Sequence, residues 1–322
     1  MSIIIVFKSN LTMLNSLRLY IRLVVFLVPA ILPFAANAQN FIGEPQQIEV
    51  SDAVKKVLTD WKVYRLDALA MKQFANSTAE SSSMQLHLGN HHWNLQLQPS
   101  NILSPNYFVQ VSTEKGIQTY TRKENIAFKG YETNSGGKVR MTLDKDFITG
   151  FVEVGTERYY IEPLWHHQPD VARDLFLFYP ISAVIRDQDA TCIELAGEED
   201  LDHLLDAAKQ KGDSPEFAGC YEIEIAIASD KSMFNKYGSV SAVEAHNIGV
   251  LNDVQGDYTG AFNHDIQFVI VTQFVVTGND PWTTSNDAGT LLGSFRTWGQ
   301  AGNFGVPFDN GELWTNRDFD GG

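Results

Sequence analysis

The chain has 322 residues, 44% of them hydrophobic, a composition too apolar for disorder and long enough to bury a sizeable core. Its 39 acidic against 24 basic residues leave a net charge of −15, which sets aside roles that work by neutralising nucleic-acid phosphate or an anionic lipid surface. Two cysteines, Cys192 and Cys220, are too few for a disulfide-built scaffold and lack the paired CxxC spacing of a structural zinc site.

Lys8, Arg18 and Arg22 are the only charges before residue 38. They precede an apolar run over residues 23–34, interrupted by Pro29 and Pro33, that ends at Ala36-Asn37-Ala38. The run is too short for a membrane anchor and the flanks are those of a secretory signal, so residues 1–38 are expected to be removed after Ala38. Met13 is an alternative start with the same destination. Cleavage removes 38 residues and three positive charges, leaving 284 residues with a net charge of −18. The mature protein is therefore expected to be secreted, with no membrane partner.

Residues 39–196 alternate in short runs such as Met84-Gln85-Leu86-His87-Leu88 and Trp93-Asn94-Leu95-Gln96-Leu97, with turn formers like Asn134-Ser135-Gly136-Gly137 between them. A period of two bounded by such turns predicts an antiparallel β region. Residues 147–154 and 157–164 read as a further hairpin. Residues 197–216 are strongly polar, with breakers at Gly212 and Pro215, and read as an exposed linker open to a processing protease.

Beyond the linker the period changes. Residues 221–228 predict a strand, and residues 239–258 an amphipathic helix with Val240, Val243, Asn247, Val250, Leu251 and Val254 at spacings of three and four. Residues 266–276 are apolar and β-branched enough for a central strand. Residues 288–298 predict a second helix, with Leu291, Leu292, Phe295 and Trp298 on one side, and residues 313–319 a last extended stretch. Strand, helix, strand, helix, strand predicts an α/β sheet over residues 217–322, and an α+β protein overall.

Local catalytic motifs are absent. Of the eight histidines (His87, His91, His92, His166, His167, His203, His246, His264) only His87 and His91 stand four residues apart, and Leu88 occupies the place of the glutamate, so no HExxH motif exists. The adjacent pairs His91-His92 and His166-His167 read as surface or turn polarity, His246 as a helix-flank residue and His203 as solvated. There is no GxSxG elbow, no phosphate loop and no GxGxxG. Residues 309–320 (DNGELWTNRDFD) are rich in oxygen but lack EF-hand spacing and read as a turn followed by a strand.

Four blocks do form a recognisable series. Glu224-Ile225-Ala226-Ile227-Ala228-Ser229-Asp230 with Met233-Phe234-Asn235-Lys236-Tyr237-Gly238 comes first, then Asn247-Ile248-Gly249-Val250-Leu251-Asn252-Asp253-Val254. Thr290-Leu291-Leu292-Gly293-Ser294-Phe295-Arg296-Thr297-Trp298 and the stretch FDNGELWTNRDFDG over residues 308–321 follow. In this order they resemble the opening strands and helices of the reprolysin (adamalysin) metalloproteases, which are metzincins. The β region, closing on Tyr160-Ile161-Glu162-Pro163-Leu164, is similar to their propeptides.

The resemblance implies a secreted zinc endopeptidase precursor acting on protein or peptide substrates: a β-rich propeptide followed by an incomplete α/β metzincin-like catalytic domain. The family's zinc motif, HExxHxxGxxH with a Met-turn, matches no position here, so no zinc ligand and no general base is carried over. The chain is expected to hold no zinc and to be inactive, and the apolar strands 221–228 and 266–276 to lack a covering partner. Glu224 matches a glutamate that binds structural calcium in many members, but the Asp expected soon after the second helix is not evident around Gly299 to Gly305. Glu224 otherwise simply alternates outward on its strand. Cys192 stands where such propeptides hold a zinc-capping thiolate. Pairing of Cys192 with Cys220 is the competing reading, and Cys220 could instead pair elsewhere. The alternative from another class is a non-catalytic secreted binding or inhibitor-like protein derived from the same family.

Overall fold

The structure is a computed structural model that describes residues 39–78, 80–185, 221–261 and 266–319. The signal at 1–38, the linker at 197–216, Cys192, Cys220, His203 and His264 lie outside the described residues.

The alternating runs form strands as their period dictates. In chain order they are β1 (Gln39–Gln46), β2 (Lys62–Arg65), β3 (Ser82–Leu88), β4 (His91–Pro99), β5 (Leu103–Thr113) and β6 (Gly116–Tyr120). Then come β7 (Ala127–Glu132), β8 (Lys138–Asp144), β9 (Phe147–Val154), β10 (Glu157–Pro163) and β11 (Leu175–Pro180). Two short helices, α1 (Asp52–Val57) and α2 (Ala68–Ala75), interrupt the early strands.

Nine of these strands close into a barrel in the order β1-β2-β11-β10-β9-β8-β7-β4-β3. Neighbours are antiparallel except at the closure, where β1 runs parallel to β3 with Phe41 opposite Leu86. Inward positions follow the period of two: Met84, Leu86 and Leu88 on β3 face Trp93, Leu95 and Leu97 on β4, and Val139, Met141 and Leu143 come from β8. Met71 of α2 joins the same cluster. Closure removes the unpaired edges that an open sheet of such strands would expose.

The strands β5 and β6 leave the barrel and join a second sheet. Its other members are β12 (Tyr221–Ser229), β13 (Ile266–Val276) and β14 (Asn310–Trp314), in the order β14-β12-β13-β5-β6. Both neighbours of β13 are parallel to it, with Phe274 opposite Ala228 on one side and Gln110 on the other. Three helices serve this sheet: α3 (Lys231–Tyr237), α4 (Val240–Ala261) and α5 (Ala288–Gln300). Asp230 caps α3 by accepting from the N–H groups of Ser232 and Met233, and Asp287 caps α5 by accepting from Thr290.

Burial along α4 is two-sided. Val243, Ile248 and Leu251 pack against Ile225, Ile227 and Ile270 of the sheet, while Gly249 and Gly256 lie on the barrel wall. A Cβ on Gly249 would come within 2.4 Å of Thr149 Cγ2, and one on Gly256 within 3.0 Å of Arg140 Cγ. Glycine at these two positions, two helical turns apart, lets the helix backbone approach β8 and β9. The opposite face of the sheet is covered by α5, where Leu291 and Phe295 pack with Trp282 and Phe304 on Ala226, Ala228 and Phe274.

These facts correct the fold expected from the sequence. The protein is mostly β, built around a closed nine-stranded barrel, and neither an α+β protein nor one with an incomplete α/β metzincin-like domain at its end. The physical reason is β5: its alternation is that of any barrel strand, yet it pairs with β13, so the later strands are not a self-contained α/β sheet. The expected bare strand faces are also corrected, since Ile225, Ala226, Ile227, Ala228, Val271 and Phe274 are all buried. From residue 39 onward the described residues cluster as one compact unit.

Candidate functional site

The chemistry-bearing side chains of the described residues concentrate where the barrel meets α4. Glu244 follows Val243 on the helix and is carried into the seam at 1% exposure. Burying a carboxylate is costly unless donors surround it. Four do: Tyr107 Oη donates to Oε1 at 3.0 Å, Tyr120 Oη to Oε2 at 3.1 Å, and Arg122 to Oε1 through Nε at 2.9 Å and to Oε2 through Nη2 at 2.8 Å. Tyr107 and Tyr120 sit on β5 and β6, so the strands that cross from barrel to sheet also bring the donors.

Arg122 continues the network by donating Nη1 to Asp144 Oδ2 at 2.9 Å, and Lys72 reaches Asp144 Oδ1 at 3.0 Å and Glu124 at 2.7 Å. Burial pulls the Arg122 guanidinium down, but its bonds to Glu244 and Asp144 outweigh this and hold it above the ordinary value. Burial pushes Asp144 up, and the Arg122 charge with the Lys72 bond more than reverses it, leaving the carboxyl below its usual range. Burial first and the Glu244 charge second raise Tyr107 well above a free phenol. Arg122, Asp144 and Tyr107 are therefore each held in one protonation state around neutral pH, which suits a fastener better than an acid or base that must turn over.

A second cluster lies further along the seam. The ring of His246 on α4 stacks on Tyr237 at 4.5 Å, and His166, in the turn after β10, meets Tyr237 at 4.9 Å and His246 at 5.6 Å. Trp314 of β14 closes the group at 5.9 Å from His246. Burial, then the nearby Lys236 charge, lowers His246 to about 3, and burial with the His246 field lowers His166 well below the ordinary value. Both imidazoles are held neutral. His166 is thus packed among rings, with Nε2 enclosed and unpartnered, and His167 lies 3.2 Å from Glu162.

Glu224 is half-buried on β12. Its backbone N–H donates to Asp309 Oδ2 at 2.9 Å and its carbonyl accepts from the Asp309 N–H at 2.9 Å. The carboxylate brought to Glu224 is therefore Asp309, nine residues beyond the end of α5. Two carboxylates fall well short of the six to eight oxygens that calcium takes. Among the described residues no group of three His, Cys, Asp or Glu side chains could hold a metal ion, so they do not fit zinc or calcium. Residues 309–319 instead tie the sheet to α3: Thr315 Oγ1 and Arg317 Nε donate to Asp230 Oδ2 at 2.6 and 3.0 Å.

Glu244, Arg122 and Asp230 were not singled out by the sequence reading. An available signal for Asp230 was its place as a capping residue directly before an apolar-periodic helix. Arg122 and Glu244 are 122 residues apart and no local pattern joins them.

No family model matches the chain, and no curated protein matches it. Among solved structures, metalloproteinase-II from Bacteroides fragilis aligns with a TM-score of 0.38 and 10% identity over 79% of this chain and 69% of that one. This is a distant likeness in the course of the chain, to a metalloprotease.

Proposed function

We propose that the chain is the N-terminal part of the precursor of a secreted, zinc-dependent metalloendopeptidase, reprolysin-like in sequence, in which the barrel serves as the proregion. The observation that carries the reading is the way the barrel region holds the later residues. It lends β5 to the edge of β13 and Arg122 to Glu244, as a proregion must if it is to stay in place once the connecting chain is cut. Strand addition supplies main-chain hydrogen bonds, and the buried ion pair fixes the register. The ordered sequence blocks from Glu224 to residue 321 support the peptidase class.

Zinc chemistry belongs to ligands that no position here supplies, so these residues are expected to cleave nothing alone. Protein or peptide substrates would be those of the complete enzyme, and export follows from the basic and apolar character of residues 1–38. Cys192 remains the candidate zinc-capping thiolate of this reading. The test is the gene itself: an HExxHxxGxxH codon run downstream of codon 322, in the same or a shifted frame, is the expected result. Continuation into unrelated sequence, or chelator-sensitive cleavage of casein by the purified chain, would overturn it.

A further inference from the structure

A second feature of the seam lies at the far end of α4 from Glu244. On the outer wall of the barrel, Lys129 of β7 stands directly opposite Arg140 of β8, and Gln98 of β4 opposite Lys129. One rung along, Tyr131 stands opposite Lys138. Like charges placed directly across a ladder repel, and such pairs are usually relieved by a carboxylate or by solvent. Arg140 is bonded to no carboxylate and is 5% exposed with Nε and Nη1 unpartnered; its one bond is long, 3.5 Å from Nη2 to Thr259 Oγ1.

The three cations wall a cavity of about 430 Å³ closed on its other side by the last turns of α4 and the start of β13. Among the described residues, no carboxylate lines it. The two carboxylates whose fields reach Arg140 belong to α4. Asp257 is engaged by Arg158 at 2.6 Å, and Asp253, pushed well above its ordinary value by burial, does not line the cavity. The rest of the described wall is uncharged: Gln98, Asn101, Gln255, Thr259 and Gln267 supply polar groups, and Ile102, Tyr131, Ile266 and Phe268 supply apolar surface. The Lys138 ammonium is already aimed inward across the seam, where it donates to the Gly256 carbonyl at 3.0 Å.

We propose that this cavity binds a tetrahedral oxyanion, phosphate or sulfate, carried on a small hydroxylated molecule. Arg140, Lys129 and Lys138 receive the anionic group, and the amide and hydroxyl side chains receive the body. A phosphate alone fills only a small part of the space, which is why a hydroxylated carrier fits the neutral remainder. Because one wall is barrel and the other is α4 and β13, the ligand is held by both layers and strengthens the seam between them. This site stands apart from the peptidase reading and does not depend on it.

The test is calorimetry and thermal unfolding of the purified chain with inorganic phosphate, inorganic sulfate, glucose 6-phosphate, glucosamine 6-sulfate and glucose. The expected result is stabilisation by the phosphate or the sulfate carrier, weaker effects from the inorganic ions, none from glucose, and affinity that falls as salt rises. The better of the two carriers identifies the source of the oxyanion. Lys129→Gln, at a half-buried position that does not threaten folding, is expected to weaken binding about tenfold. Arg140→Gln is expected to weaken it further, with circular dichroism confirming the fold. Absence of binding by all four anions, glucose binding as tightly as glucose 6-phosphate, or unchanged affinity in folded Lys129→Gln would overturn the proposal.

Discussion

Arg122 and Glu244, 122 positions apart, meet in a two-point ion pair with bonds of 2.9 and 2.8 Å, inside a seam where the carboxylate is 1% exposed. This pair joins the strand-crossing segment of the barrel to the long helix, and with the β5–β13 ladder it makes one body of the two layers.

Removing one partner should show what the pair holds. Glu244→Ala leaves the Tyr107 and Tyr120 hydroxyls and one side of Arg122 without an acceptor, and loss of one half of a buried pair costs about 3–5 kcal/mol. The shift of the urea midpoint at constant slope measures it. A loss below about 1 kcal/mol would mean that water replaces the carboxylate and that the pair does not fasten the seam.

The histidine cluster makes an acid-sensitive contribution. His246 is lowered to about 3 and His166 also lies below its ordinary value, so between those values and about 6.5 the unfolded chain binds more protons than the folded one. Their contribution is complete above about pH 6.5 and declines as the pH falls, by up to about 1.4 kcal/mol per pH unit for each ring. Denaturant melts from pH 7 to 5 are expected to show this slope, and His246→Phe to reduce it by about half. An identical slope in the variant would show that His246 titrates normally. Asp144, depressed by Arg122 and Lys72, adds its own loss only at lower pH, as protonation overtakes the folded carboxyl.

The two glycines of α4 give a steric test. Alanine is the better helix former by about 1 kcal/mol, yet Gly249→Ala is expected to destabilise, because its Cβ would meet Thr149 Cγ2 at 2.4 Å. Thr149→Ser removes that methyl and is expected to recover most of the loss in the double variant. Thermal unfolding of the two single variants and the double completes the cycle. Stabilisation by Gly249→Ala alone would show that the helix stands off the barrel.

Much of the fold was legible, and the parts that were not share one cause. The period of two placed β3 and β4, and the strand expected at 266–276 is β13 to the residue. The helix expected at 239–258 is α4 at Val240–Ala261. The last extended stretch was placed at 313–319, but the strand is Asn310–Trp314, because Thr315 and Arg317 are drawn to Asp230 instead of into a ladder. What periodicity cannot carry is partner choice. Nothing in Leu103–Thr113 distinguishes a strand that stays in the barrel from one that crosses to β13, and the closure of β1 on β3 is likewise decided by packing between distant segments. Along α4, the apolar spacing marked one buried face, Asn247 included, whereas Glu244 and Asn252 are buried because the helix has two. Asn252 Nδ2, for example, donates to the carbonyls of Phe128 and Met141 in the barrel wall.

The most direct measurement of the central claim is to cut the chain and ask whether it comes apart. With a site-specific protease sequence placed within residues 197–216, cleavage of the folded protein yields a barrel fragment and a fragment beginning before β12. The two are expected to co-elute on size exclusion at neutral pH, and to separate more readily in Glu244→Ala. Independent elution of the two fragments from the unsubstituted protein would contradict a proregion held in place by β5 and Arg122.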